Sequence, residues 1–131
     1  MNDRIEKSFI DKFIIKSKQD RLLFELSGKK RKRGIGRFCH STEDIIKSDR
    51  IVASGNNLFF EEILSVAKHY GVSGLCYIIA YNEEIDRKSC TLNEALNLVL
   101  GNGMAGIIIC DDLVVIETEQ CIGTPMRYIL H

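Results

Sequence analysis

Near the C-terminus, two apolar runs at 105–110 (AGIIIC) and 113–117 (LVVIE) are separated only by Asp111 and Asp112. Short runs rich in β-branched residues are strands, and a two-residue connection makes them a β-hairpin. Two Asp make a weaker turn signal than Asn-Gly, but the chain is still committed to a sheet. The run at 75–81 (LCYIIAY) adds a buried strand, 50–54 is a candidate short strand, and 127–130 gives a last one after Pro125, the only proline.

The rest of the chain has helical texture. Ile5, Phe9 and Phe13 recur at i, i+4 and i+8, one stripe of a 3.6-residue period. Leu22, Leu23 and Leu26 mark a second amphipathic stretch that Gly28 stops. Ser41-Thr-Glu-Asp44 caps a short helical turn through Ile45 and Ile46. Residues 58–70 carry Phe59, Ile63, Val66 and Tyr70 on one face, ending at Gly71. Thr91-Leu-Asn-Glu94 is a capping box for a helix that runs to Leu100 and ends at Gly101. The expected fold is α+β: a helical N-terminal third, then one mixed sheet of four or five strands with helices on one side and a C-terminal hairpin. A chain of 131 residues with no linker or repeat is read as one domain over 1–131.

Charge is sorted along this chain. Residues 1–50 hold 14 Lys/Arg against 8 Asp/Glu, and residues 51–131 hold 4 against 10, so a formal net charge of zero covers halves of +6 and −6. Lys29, Lys30, Arg31, Lys32 and Arg33 form the basic peak, with Arg37 close behind. Such a run fits phosphate contacts in a small nucleic-acid-binding module, a protein partner, or a solvated helix end whose cations favour the C-terminal dipole. Only Phe38 interleaves it, so stacking on single strands is not supported. In the acidic half, Glu83, Glu84 and Asp86 share a loop, Asp111 and Asp112 form a turn, and Glu117 and Glu119 follow. If the loop and the hairpin end lie close together, these residues make a patch that steers a basic partner.

Chemistry-bearing motifs are sparse. Cys39-His40, with Asp44 nearby, lacks the supporting groups of a nucleophilic site, since nucleophile and base usually meet from different elements. His69 falls opposite the apolar face of its helix. His40, His69, His131 and the five cysteines at 39, 76, 90, 110 and 121 lack the close spacing of metal ligands. Gly34-Ile-Gly36 and Gly101-Asn-Gly103 do not continue into a dinucleotide or phosphate loop. No catalytic residue, metal or cofactor is expected. No apolar run reaches the about 20 residues that span a bilayer. The N-terminus lacks the apolar segment of a secretory signal, so the expectation is a cytoplasmic chain with reduced structural thiols.

Three passages carry a likeness: FIIKSKQDRLLFEL at 13–26, RFCHSTEDII at 37–46 after the basic run, and RYIL at 127–130. Together they resemble small bacterial immunity proteins of contact-dependent growth inhibition and related polymorphic toxin systems. The resemblance implies a non-enzymatic protein that binds a cognate toxin C-terminal domain, often a nuclease, and covers its active site or substrate-binding surface. Charge alone then nominates Glu83, Glu84, Asp86, Asp111, Asp112, Glu117 and Glu119 as the toxin-binding surface, with Lys29–Arg33 and Arg37 as the alternative patch.

Overall fold

The computed structural model describes residues 2–119 and 125–131. Helices α1 (Asn2–Phe13), α2 (Lys16–Leu26), α3 (Arg31–His40) and the short α4 (Thr42–Ile45) come first. A 3-10 turn (Ser48–Arg50) leads into β1 (Ile51–Gly55), α5 (Phe60–His69), β2 (Cys76–Ala80) and β3 (Ser89–Cys90). Then follow α6 (Leu92–Val99), β4 (Gly106–Cys110), β5 (Leu113–Glu117) and β6 (Arg127–Leu130). One sheet, in the order β1-β6-β5-β4-β2-β3, contains all of these strands.

The α+β class and the β4–β5 hairpin are as expected; the sheet differs from the expectation in three respects. It has six strands, it is antiparallel at every pairing rather than mixed, and helices cover both faces. Topology accounts for the direction. After β2 the chain reverses along β3 and returns along α6, so β4 starts opposite Ala80, at the end where β2 stops. Two-sided cover follows from the composition of the strands, which are apolar at consecutive positions and not only at alternate ones. Ile107, Ile109, Val114 and Ile116 pack with Phe9, Phe13, Leu26, Ile35 and Phe38. Ile108, Val115 and Ile129 pack on the other face with Ile63, Ala67, Leu96 and Val99. Full burial of each large aliphatic side chain contributes about 1.5–3 kcal/mol.

Local rules explain most element boundaries. Thr91 accepts from the Glu94 N–H at 3.3 Å and donates to the Glu94 carboxylate at 3.1 Å, closing the start of α6. Ser41 uses its backbone carbonyl, not its side chain, to start α4. The buried stripe of α5 is Ile63 and Ala67, while Phe59 lies outside the helix and exposed, a rotation from the expected face. The largest departure is α3, which forms on the basic run itself. Arg31, Ile35, Phe38 and Cys39 are all buried, spaced i, i+4, i+7 and i+8, so an arginine completes a helical stripe. Gly34 permits the closest approach of α3 to α2, where an added Cβ would lie 2.7 Å from the Glu25 Cβ.

The cysteines also depart from the expectation. Cys76 and Cys110 are disulfide-bonded, because adjacent strands place them directly opposite with Cα atoms 4.5 Å apart. Cys39 and Cys90 are free and buried, and Cys121 lies outside the described residues.

Candidate functional site

Folding divides the basic run. Arg31 turns inward, and its guanidinium donates to both Glu6 carboxylate oxygens at 2.7 Å and to Asp86 at 2.6 and 2.9 Å. The Tyr77 hydroxyl donates to the same Glu6 at 2.6 Å. Burial alone would lower the Arg31 pKa, but hydrogen bonds and charge from Asp86 and Glu6 hold it above its ordinary value. Burial, then Glu6, pushes the Tyr77 hydroxyl up as well. Arg37 donates to Glu25, itself buried beneath α3. Only Lys29, Lys30, Lys32 and Arg33 of the run stay exposed, so a continuous phosphate-binding strip of six cations does not form.

The acidic residues do not gather into one patch either. Asp111 and Asp112 sit at the β4–β5 turn, whereas Glu117 pairs with Gly106 at the opposite end of that hairpin, the end nearest Ala80 and the loop after it. Glu117 is buried, accepting from Arg127 at 2.9 Å and from the Gly101 N–H at 3.2 Å. Asp86 is held by Arg31 and accepts from the Ala80 N–H at 3.0 Å. Asp112 meets Lys12 at 2.6 Å, which lowers its pKa, and Glu83 meets Lys32 at 3.7 Å. Asp86 and Glu117 are thereby withdrawn from the expected acidic surface, whereas Glu83, Glu84, Asp111, Asp112 and Glu119 stay exposed. The sorted charges thus close on each other: Arg31–Asp86, Lys32–Glu83, Lys12–Asp112 and His40–Glu119 each join the first half to the second.

What remains is a cleft of about 620 Å³ along the outer face of α3. Lys32, Arg33, Gly36, Arg37 and His40 form one wall, one turn apart along the helix; Tyr81, Met104 and Ala105 form the other, with Glu119 at the end. Gly36 keeps the helical wall low, since an added Cβ would lie 3.6 Å from the Tyr81 ring. Lys32 Nζ stands 4.6 Å from that ring's centroid, a cation–π distance. Tyr81 and Met104 are exposed apolar side chains beside cations. Arg37 Nε is buried with no hydrogen-bond partner among the described residues. A second hollow of about 310 Å³, lined by Ser41, Glu43, Asp44, Met126 and Tyr128, continues past the shared His40 and Glu119. The cleft therefore combines positive charge, an aromatic ring and a thioether, which suits an acidic side chain flanked by an apolar one. Sequence reasoning found its cations but missed Tyr81 and Met104, because they enter from elements far along the chain.

The Cys39-His40 pair is split by the helix. Cys39 faces the core, where burial and then the charges of Glu119 and Glu117 push its thiol up. His40 faces outward, with Nδ1 3.0 Å from Glu119. The two cannot meet as nucleophile and base. Among the described residues, no three His, Cys, Asp or Glu side chains cluster as metal ligands do, and no helix is long and apolar enough to cross a membrane. No protein-family model, curated protein or solved structure matches the chain.

Proposed function

We propose that this chain is an immunity-type protein that neutralises a cognate toxin domain by stoichiometric binding, with the α3 cleft as its contact surface. One observation carries the reading: Tyr81 and Met104 stand exposed beside Lys32, Arg33 and Arg37 in an open cleft, while Asp86 and Glu117 of the expected acidic set are taken up in internal pairs. Aromatic, Met and Arg side chains are the residue types enriched where proteins meet. The toxin face that fits carries carboxylates next to an apolar side chain. The nucleic-acid reading loses Arg31 to buried carboxylates and keeps Lys29, Lys30, Lys32 and Arg33 as its exposed cations.

The test is capture from nuclease-treated lysate of the native host, followed by calorimetry with the purified partner. Replacing all of 29–33 would confound it, because Arg31 is a core residue. Two variants separate the surfaces: Arg33→Glu/Tyr81→Ala within the cleft and Lys29→Ser/Lys30→Ser outside it. The expected result is one protein, encoded beside this gene, bound one to one. The cleft variant should weaken it at least about 30-fold, as loss of a hot spot worth about 2 kcal/mol does, and the lysine variant should leave it nearly unchanged. Nucleic acid that co-purifies and is lost with Lys29 and Lys30, or a partner indifferent to the cleft variant, would refute the proposal.

A further inference from the structure

Three cysteines from three adjacent strands stand in one line across the sheet. The register pairs Cys76 of β2 with Cys90 of β3 on one side. One step beyond Tyr77↔Ile109, it places Cys76 opposite Cys110 of β4 on the other. All three lie in the same buried cluster, on the face that packs against α5 and α6. Cys76 and Cys110 are bonded, and Cys90 is a free thiol on a two-residue strand at the edge of the sheet. Directly opposed residues in antiparallel strands have Cα atoms about 4.5–5.5 Å apart, within the range of about 4.4–6.8 Å that a disulfide spans. Cys76 is thus within bonding reach of both neighbours at once.

We propose that Cys90, Cys76 and Cys110 form a thiol–disulfide exchange site, in which the bond on Cys76 passes between Cys110 and Cys90. The step is internally balanced. Cys90 loses its proton, and its sulfur attacks the Cys76 sulfur. The Cys76–Cys90 bond forms as the Cys76–Cys110 bond breaks, and the electron pair leaves on Cys110, which takes up a proton. One disulfide and one thiol are present before and after, so no outside oxidant or reductant takes part. Burial and Glu94 keep the Cys90 thiol above its ordinary pKa, with Lys88 opposing, so the attacking thiolate is scarce at neutral pH. Exchange moves the link from a central strand pair to an edge pair. There it ties β3 to β2 and closes the loop that carries Asp86, the partner of Arg31.

Disulfide mapping on the intact chain tests this. Cys39→Ala/Cys121→Ser protein is equilibrated in a glutathione redox buffer at about pH 8.5, where the thiolate fraction exceeds that at neutral pH. It is then quenched in acid, alkylated, and cleaved after Lys, Arg and Glu, because Glu94 is the cleavage point between Cys90 and Cys110. Both Cys76–Cys110 and Cys76–Cys90 peptides are expected. Adding Cys110→Ser should shift Cys76–Cys90 to the majority of molecules, and adding Cys76→Ser should abolish both. Detection of Cys76–Cys110 alone at equilibrium, or of neither linkage, would overturn the proposal without reference to the Cys110→Ser or Cys76→Ser change. A folded Cys110→Ser protein whose Cys76 and Cys90 remain separately alkylated or glutathionylated would overturn it too.

Discussion

Toward the N-terminal helices the sheet presents Tyr77 and Tyr128 among its aliphatic side chains, and what meets it there is partly ionic: Glu6 and Arg31 lie buried and paired, and Glu6 also accepts from the Tyr77 hydroxyl. Toward α5 and α6 it presents Ile, Val, Leu, Ala and Cys, with one ion pair, Glu117–Arg127, at the end. The second face can be assembled by size alone, and many aliphatic combinations of equal volume would fill it. The first cannot. Arg31 is satisfied only when α1, α3 and the loop after β2 all arrive together, so its carboxylates act as a check on how the helical layer is docked. Buried ion pairs add little net stability over apolar replacements but cost heavily when half removed, so this face is tuned for one arrangement at the expense of tolerance.

The largest expected effect breaks that contrast directly. Glu6→Ala leaves Arg31 and the Tyr77 hydroxyl short of a partner and should cost about 3–5 kcal/mol in urea unfolding. Leu96→Ala on the other face should cost a comparable amount, about 2–5 kcal/mol. The conservative changes separate the two: Leu96→Met should cost less than about 1.5 kcal/mol, whereas Glu6→Gln, equal in shape but uncharged, should cost clearly more. Equal tolerance on both faces would end the distinction.

Each face also has one glycine at a closest approach. Gly106→Ala would place a Cβ 2.8 Å from Val99 Cγ1, and Gly34→Ala would place one 2.7 Å from Glu25 Cβ. Both should cost about 1–3 kcal/mol. Val99→Ala should restore much of the first in a double-mutant cycle. Truncation of Glu25 to Ala should not restore the second, because the clashing Cβ remains and Arg37 loses its partner.

Alkaline titration should sharpen the comparison further. Cys39, Tyr77 and Tyr128 lie in the N-terminal cluster, and burial raises all three above ordinary values of 9.0 and 10.0, with Glu43 adding to the effect at Tyr128. A raised folded pKa means that the contribution is whole below the unfolded value and is lost as pH climbs toward the folded one. Stability should therefore start to fall near pH 9 and keep falling, and Tyr77→Phe/Tyr128→Phe should flatten that limb. A limb unchanged in the double variant would assign it elsewhere. The smallest effect belongs to the exposed Lys12–Asp112 pair, with a coupling of under about 1 kcal/mol in a double-mutant cycle and a decrease with added salt.

Much of this division was legible in the residues. The Phe9 and Phe13 stripe, the Thr91–Glu94 cap and the β4–β5 hairpin are local signals, and local rules read them correctly. The uninterrupted Ile107-Ile-Ile109 and Val114-Val-Ile116 runs also carry the two-sided burial, since a half-exposed strand would alternate, but the expected sheet had helices on one side only. Helix α3 was hidden because its stripe begins with an arginine, which reads as surface until Glu6 and Asp86 are known to lie opposite. The cleft and the cysteine line were beyond reach for a different reason. Tyr81 meets Gly36, and Cys76 meets Cys90 and Cys110, through sheet register and helix docking, which no local spacing encodes.

The long-range charge pairing has a consequence for how the chain is made. The first fifty residues emerge from the ribosome carrying +6, and Asp86, Glu83 and Asp112, the carboxylates that answer Arg31, Lys32 and Lys12 from the other half, are synthesised later. Until then Glu6 and Glu25 are counter-charges that the segment supplies for itself, and its surplus cations lie beside an RNA-rich surface. Docking of the helical layer with those pairs formed waits on the acidic half. At 5–20 residues per second, the exposed interval lasts on the order of seconds.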